Sequence, residues 1–220
     1  LPYMHHKKIF MLCLKYKKHF LTTSYTQDYM HDYKEQLVRD NIIVVNEAGL
    51  YPGLETASIM KLVNQIHGEG YKIKSLTTYC GGLPAPECNT NPLGYKFSWA
   101  PRGVLLAELN PAKYLDHGEV VELSTRMEVL KHHGDVSVDV IGVFEGIANR
   151  DSIKFIDLYD IKEAETFVRG TLRYEGWSEI ITFFHHAKLL SLNVDPTLKE
   201  TMTYGQLLAS KLELPLDTNL

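Results

Sequence analysis

The residues of this chain best suited to chemistry are its arginines, because they are few and several sit in constrained contexts. Arg102 follows a Pro-rich stretch, Arg150 sits in Asn149-Arg150-Asp151-Ser152, and Arg169 and Arg173 bracket Gly170-Thr171-Leu172. A guanidinium fork grips a carboxylate through two parallel hydrogen bonds, so convergence of two or three arginines would suit a polyanionic small molecule. Arg150 and Arg173 are the pair expected to share one anion site, although a structural ion pair explains any single arginine equally well. Cys80, followed by Gly81-Gly82, could be an activated thiol. The sequence assigns it neither a helix N-terminus nor a partner histidine, and a buried thiol is the simpler reading. The histidine pairs His5-His6, His132-His133 and His185-His186 are adjacent in sequence, and neighbours point to different sides of a helix or strand. They read as surface histidines, and no metal site is expected. The lysines Lys7, Lys8, Lys15, Lys17 and Lys18 read as a solvated helix face.

A dinucleotide site normally shows as G-x-G-x-x-G between a strand and a helix, where glycines let backbone approach a pyrophosphate. Gly68-Glu69-Gly70 comes nearest, but Ile73 stands where the third glycine belongs, and the order is helix then strand. The α/β portion therefore reads as the second half of a nucleotide-binding domain, or as a different α/β domain.

The elements that must position these residues follow from periodicity. A helix is expected over 6–19, a short extended run over 20–24, and a second helix over 27–39. Ile42, Ile43, Val44 and Val45 are four β-branched residues in a row, as in a parallel strand covered on both faces. Ile59, Leu62, Val63 and Ile66 fall at i, i+3, i+4 and i+7 of a helix over 55–67 stopped by Gly68 and Gly70, and a strand over 71–79 follows. Three such alternations are the pattern of a doubly wound α/β domain. Residues 80–101 are a turn-rich excursion studded with Gly and Pro, and loops of that length are usually functional or disordered. Beyond it come a short apolar helix over 102–110 and a hairpin over 114–123 turning at Asp116, His117 and Gly118. Val136, Val138 and Val140 alternate as in a half-buried strand, as do Thr171 and Arg173, and a helix covers 177–190. The expected class is α/β plus α+β. An incomplete Rossmann-type parallel sheet over 1–80 precedes an α+β domain with a mostly antiparallel sheet over 81–220.

Composition bounds the function. The 220 residues are 45% hydrophobic and 23% charged, an ordinary globular balance. The longest apolar run, Ile9 to Leu14, is far shorter than the ~20 residues of a spanning helix, so no membrane role is expected. A net charge of −4 and a pI near 6.2 carry no nucleic-acid footprint. Three cysteines are too few for a disulfide framework and suit a reducing compartment, cytoplasm or mitochondrial matrix rather than secretion. The chain opens on Leu1, which reads as a processed chain or an internal fragment.

Two long segments resemble a known family. Tyr79-Cys80-Gly81-Gly82-Leu83-Pro84-Ala85-Pro86-Glu87, followed by Asn91-Pro92-Leu93-Gly94-Tyr95-Lys96-Phe97-Ser98-Trp99, is similar to saccharopine dehydrogenases of the L-glutamate-forming type, or saccharopine reductases. The dehydrogenase part of bifunctional aminoadipate semialdehyde synthase shares this pattern. Collinear support comes from Leu1-Pro2-Tyr3 with His6, Thr23-Ser24-Tyr25, Asn46-Glu47 with Gly49-Leu50, Asn149-Arg150-Asp151-Ser152, and Arg169 through Tyr174. The resemblance implies a Rossmann domain followed by a catalytic domain whose sheet carries a homodimer contact. It implies that saccharopine loses hydride to NADP or NAD, and that the imine hydrolyses to glutamate and α-aminoadipate semialdehyde. Ser24, Tyr25, Arg150, Thr171, Leu172 and Arg173 stand where the family holds saccharopine, and Thr23, Leu50, Pro52 and Ala100 where it touches the cofactor. The family's Gly-Leu-Asp-Pro-Gly reads Gly49-Leu50-Tyr51-Pro52-Gly53 here, so Tyr51 replaces a substrate-contacting aspartate. The rival expectation is a catalytically inactive homologue or fragment acting as an association module.

Pyrophosphate affinity resides in backbone N–H groups at a helix N-terminus reached through a glycine-rich turn. Lacking that motif, the 220-residue chain is expected to show no saturable low-micromolar binding when titrated with NADPH or NADH under nicotinamide fluorescence. Saturation there would mean that the cofactor is held without the glycine loop.

Overall fold

The computed structural model describes residues 1, 3–98 and 100–218; Pro2 and Trp99 of the segments quoted above lie outside the described residues. The chain divides into two compact units, Leu1–Ile73 with Ile156–Glu163, and Lys74–Phe155 with Ala164–Leu220.

In the first unit, helix α1 (His6–Lys15) buries Phe10 and Leu14, one turn apart, and leads to strand β1 (Phe20–Leu21). A 3-10 turn (Asp28–Tyr33) runs into α2 (Lys34–Arg39), then β2 (Val44–Val45) and the longer α3 (Leu54–Gly68). Strands β1 and β2 pair in parallel, Phe20 against Val44 and Leu21 against Val45. Their core is Phe10, Leu14, Phe20, Met30 and Ile42. Phe10 meets Phe20 edge-on at 5.6 Å and Tyr29 and Tyr33 at 5.7 Å, an arrangement aromatic quadrupoles favour. Glu163 fastens the returning segment: its Oε1 accepts from His67 Nε2 at 2.7 Å and from the Ile73 N–H at 3.1 Å.

Several expectations change in this unit. The first helix stops at Lys15, with Lys17 in the left-handed region at φ 51°, and the second is half 3-10 and half α. The run 42–45 is not covered on both faces. Ile42 is buried while Ile43 and Val45 are 58% and 40% exposed, so the strand alternates. On α3, Val63 is buried but Leu62 is 55% exposed. The doubly wound pattern stops at two parallel strands, because the third expected strand joins the other sheet.

That strand, β3 (Ser75–Cys80), opens the second unit, so the units divide at 73/74, whereas the expected boundary lay at 80. After it come α4 (Pro101–Ala107), the hairpin β4 (Ala112–Asp116) and β5 (Glu119–Leu123), and α5 (Arg126–Lys131). A second hairpin, β6 (Gly134–Val138) and β7 (Gly142–Ala148), is followed by β8 (Arg150–Asp151) and the short α6 (Phe155–Leu158). Strand β9 (Thr166–Arg173), α7 (Trp177–His186) and α8 (Tyr204–Lys211) complete it. The seven-stranded sheet runs β5-β4-β9-β7-β6, with β3 added parallel to β9 and β8 parallel to β4; the other pairings are antiparallel. Its core is Tyr95, Val104, Ala112, Leu123, Val129, Leu130, Ile147, Trp177 and Ile181. The first hairpin turns at His117 and Gly118, at φ 49° and 85°, where the sequence placed it. Val140 is not part of a strand. It lies in the β6–β7 turn at φ 69°, fully exposed. The fold class is thus α/β plus α+β with a mostly antiparallel second sheet, and among the described residues no helix is long and apolar enough to cross a membrane.

The reason β3 belongs to the large sheet lies in its aromatic residue. Register pairs Tyr79 with Gly170, and the Tyr79 ring occupies the space a Cβ would need: an added Cβ at Gly170 would lie 2.4 Å from Tyr79 Cε1, and one at Gly146 2.9 Å. Both ring neighbours are backbone or sheet-bound and cannot give way. Gly170→Ala is therefore expected to lower stability by about 1–3 kcal/mol, measured by urea denaturation. A variant as stable as wild type would show that the ring moves freely.

Candidate functional site

The first unit offers the carboxyl ends of its parallel strands, the place where open α/β sheets hold ligands. Thr23, Ser24 and Tyr25 follow β1 directly, and residues 46–53 follow β2. The two segments are laced together. The Thr22 N–H donates to Val45 O, the Glu47 N–H to Ser24 O at 3.0 Å, the Ala48 N–H to Thr22 O, and the Thr26 N–H to Glu47 Oε1. Two glycines make the loop possible. A Cβ on Gly49 would stand 3.1 Å from Thr23 Cβ, and Gly53, at φ 134°, lies so close to Glu47 O that a side chain would collide at 2.2 Å. The Gly49 N–H donates to Pro52 O, and the Tyr51-Pro52 bond is cis. The structure thus brings Thr23, Ser24, Leu50, Tyr51 and Pro52 together beside Tyr25. Thr23 and Leu50 are exposed, Ser24, Tyr25 and Tyr51 half-buried, and Pro52 buried.

In the second unit the Gly-Pro-rich loop wraps the end of β9. Cys80 pairs with Thr171, and Gly81 passes so near Leu172 O that a Cβ would lie 2.8 Å away. The Tyr174 hydroxyl donates to Pro84 O at 2.8 Å, and Asn91 closes a turn on Tyr95 O. Thr171, Leu172 and Arg173 therefore sit directly against the loop that starts at Cys80. Ala100 caps α4, its carbonyl accepting from the Gly103 and Val104 N–H groups.

The structure places Arg150 and Arg173, expected to share an anion site, on different strands. Arg150 is exposed, at φ 55°, on β8, where it pairs with Ala112 and follows an Asn149 N–H bonded to Arg169 O. Arg173 lies four residues beyond Arg169 on β9 and is 7% exposed. Its guanidinium is already committed: Nη2 donates to Glu108 Oε1 at 3.2 Å and Nη1 to Leu172 O at 3.0 Å. It also stands over the rings of Trp177 at 4.9 Å and Tyr95 at 5.3 Å.

Sequence reasoning missed Glu108, Arg126 and Glu145. Glu108, at the C-cap of α4, is 2% exposed, and its Oε2 pairs with Arg126 Nη2 while Oε1 takes Arg173. Burial pushes the Arg126 guanidinium below its usual range, and Arg173 nearby pushes the same way, while Glu108 opposes both. Glu145, cross-strand neighbour of Arg173, accepts from the Gly176 N–H at 2.7 Å and from the Ser178 N–H and hydroxyl, so it caps α7. One signal was available. Thr125 and Glu128 have capping-box spacing, and that box starts α5 with Arg126 as its first residue. Nothing in the sequence marks Glu108 within its apolar surroundings.

Both units together define a class of protein: an α/β unit whose parallel strand ends form a ligand loop, and an α+β unit whose sheet edge carries a glycine loop and buried arginines. The chain belongs to the saccharopine dehydrogenase family, whose C-terminal domain model matches residues 49–219. It is 42% identical over 188 residues to a Schizosaccharomyces pombe protein named saccharopine dehydrogenase [NADP(+), L-glutamate-forming], covering 82% of this chain and 40% of that protein. A rat protein named alpha-aminoadipic semialdehyde synthase, mitochondrial, is 38% identical over 216 residues, which is 94% of this chain and 23% of that one. The solved apo saccharopine dehydrogenase (L-Glu forming) from Saccharomyces cerevisiae superposes with a TM-score of 0.84 at 36% identity, covering 97% of this chain and 48% of that chain. The chain thus spans less than half the length of each of these relatives.

Removing one partner of a buried ion cluster leaves uncompensated charge, at roughly 3–5 kcal/mol. Glu108→Ala, which strands two guanidiniums, is expected to destabilise by that amount in chemical denaturation. A loss under about 1 kcal/mol would show that water already reaches the cluster.

Proposed function

We propose that the chain supplies the substrate-binding part of an NADP- or NAD-dependent oxidoreductase that interconverts saccharopine with L-glutamate and α-aminoadipate semialdehyde. The observation carrying this reading is the docking of the Cys80–Pro84 loop against Thr171, Leu172 and Tyr174, two of the collinear segments that resemble the family. The S. pombe relative is named for this reaction with NADP(+).

In this reading Arg150, Thr171, Leu172 and Arg173 of the second unit hold saccharopine, whose three carboxylates give the arginines their purpose, and Ser24, Tyr25 and Tyr51 are the first unit's own substrate candidates. Thr23, Leu50, Pro52 and Ala100 hold the cofactor. The first three fit that task, since they lie at the carboxyl end of a parallel strand pair, in segments that Gly49 and Gly53 allow to pack closely. A bound NADP+ or NAD+ would supply the acceptor for hydride from the carbon beside the secondary amine; with loss of the amine proton an imine would form, which water would cleave into the two products. The protein's part is orientation. Arg150, exposed and in a backbone conformation rarely adopted by side-chain-bearing residues, presents a free-swinging cation. Arg173 presents a fixed one. Tyr51 is a neutral phenol at pH 7 and cannot provide the anion that the family's aspartate provides.

A homodimer is the proposed assembly, supported by the exposed Val140, Ile141 and Val143 on the β6–β7 hairpin at the sheet edge. Cytoplasm or mitochondrial matrix is the proposed compartment. Cys13, Cys80 and Cys88, which form no disulfide among the described residues, suit it, and the rat relative's name includes the word mitochondrial.

The intact protein, given saccharopine and NADP+, should form NADPH, glutamate and the semialdehyde. Arg150→Ala should raise the KM for saccharopine about tenfold or more, one charge-assisted carboxylate pair. Absence of turnover overturns the activity, and an unchanged KM removes Arg150 from the site.

A further inference from the structure

We propose that Arg126 and Glu108 are positioning residues for Arg173: together they hold its guanidinium in one orientation while leaving the buried cluster with one positive charge in excess, which a substrate carboxylate completes. This rests on the reading of Arg173 as a saccharopine ligand.

Arg126 occupies an electrostatically unfavourable place. It is the first residue of α5, the end of a helix where a cation is unfavourable, and it is 9% exposed. Helix electrostatics and solvation both oppose it there, so its attachment to Glu108 must account for its place. Glu108 in turn accepts from Arg173. A Glu108–Arg173 pair by itself would be neutral: well placed, but with its attraction for an anion cancelled. Adding Arg126 restores the attraction without releasing the grip, because Glu108 gives one oxygen to each guanidinium. Glu145, facing Arg173 across the strands, keeps its charge but turns its carboxylate onto the N–H groups and hydroxyl at the start of α7, whose positive end offsets it there.

Hydrogen-bond accounting points the same way. Arg126 Nε, Arg173 Nε and Trp177 Nε1 are buried donors with no acceptor among the described residues. Buried donors are nearly always paired, so these three leave the cluster with donors to spare for a further acceptor. Arg173 itself is immobile, pinned by Glu108, by Leu172 O and by the rings of Tyr95 and Trp177. A fixed cation with unused donors loses little entropy when it grips a carboxylate.

The test uses the intact protein with Arg126→Met, Arg126→Gln and Arg126→Lys. Methionine fills the space without charge, and glutamine still donates to Glu108, so at least one neutral variant should fold. Either should raise the saccharopine KM about tenfold or more, with kcat within about twofold, and lysine should restore most of the affinity. A folded neutral variant with unchanged KM overturns the proposal, as does a parallel fall in kcat, affinity and melting temperature across all three variants. Melting shifts induced by glutarate, a dicarboxylate without the amine, separate the two readings. If saccharopine is not turned over but glutarate raises the melting temperature of wild type and not of Arg126→Gln, the activity falls and the cluster's role stands. If glutarate leaves wild type unmoved, the cluster's role falls.

Discussion

The Tyr79 ring lies against the large sheet only because Gly146 and Gly170 leave room for it, and this close packing decides where the chain can go next. With the ring seated, β3 runs parallel to β9 in a register that ends at Cys80 opposite Thr171. Gly81 then crosses within contact of Leu172 O, and the loop reaches Pro84 in time to accept from Tyr174. Three glycines and two tyrosines thus fix a loop that has no secondary structure of its own between Cys80 and Pro86. An excursion of this length would otherwise lose its conformation to entropy.

Charge is then placed on this frame. The second unit buries four ionised side chains around the end of β9, and each is compensated differently. Glu145 uses the start of α7, Arg126 and Arg173 share Glu108, and Arg173 adds the faces of two aromatic rings. Such groups are expensive to bury, and well-packed apolar residues would often be at least as stable. They gather at the place where the glycine loop meets β9, and a carboxylate-binding surface, as proposed above, would use them.

The sequence showed the elements more faithfully than their partners. The β4–β5 hairpin, the α3 periodicity and the strand around Thr171 are local patterns, decided by neighbours a few residues away. The destination of β3 is not local, because its alternation suits either sheet, and only the glycines far along the chain at 146 and 170 select the large one. The run 42–45 misled for a related reason: β-branched residues signal a strand but do not say which faces are covered. At the candidate site, Thr171–Arg173 and the loop were visible as motifs, whereas Glu108 was not, since a lone acid in an apolar helix has no pattern to announce it. Nor did spacing in sequence say which carboxylate an arginine holds, as the pairing of Arg173 with Glu108 shows.

If the Cys80 loop and the end of β9 form one surface that binds saccharopine, as proposed, amide hydrogen exchange of the intact protein reads this surface directly. With NADP+ present, adding saccharopine should slow exchange at residues 80–83 and 171–174, and should leave the β6–β7 hairpin unchanged. Exchange at both segments unaffected by saccharopine at saturating concentration would contradict the account.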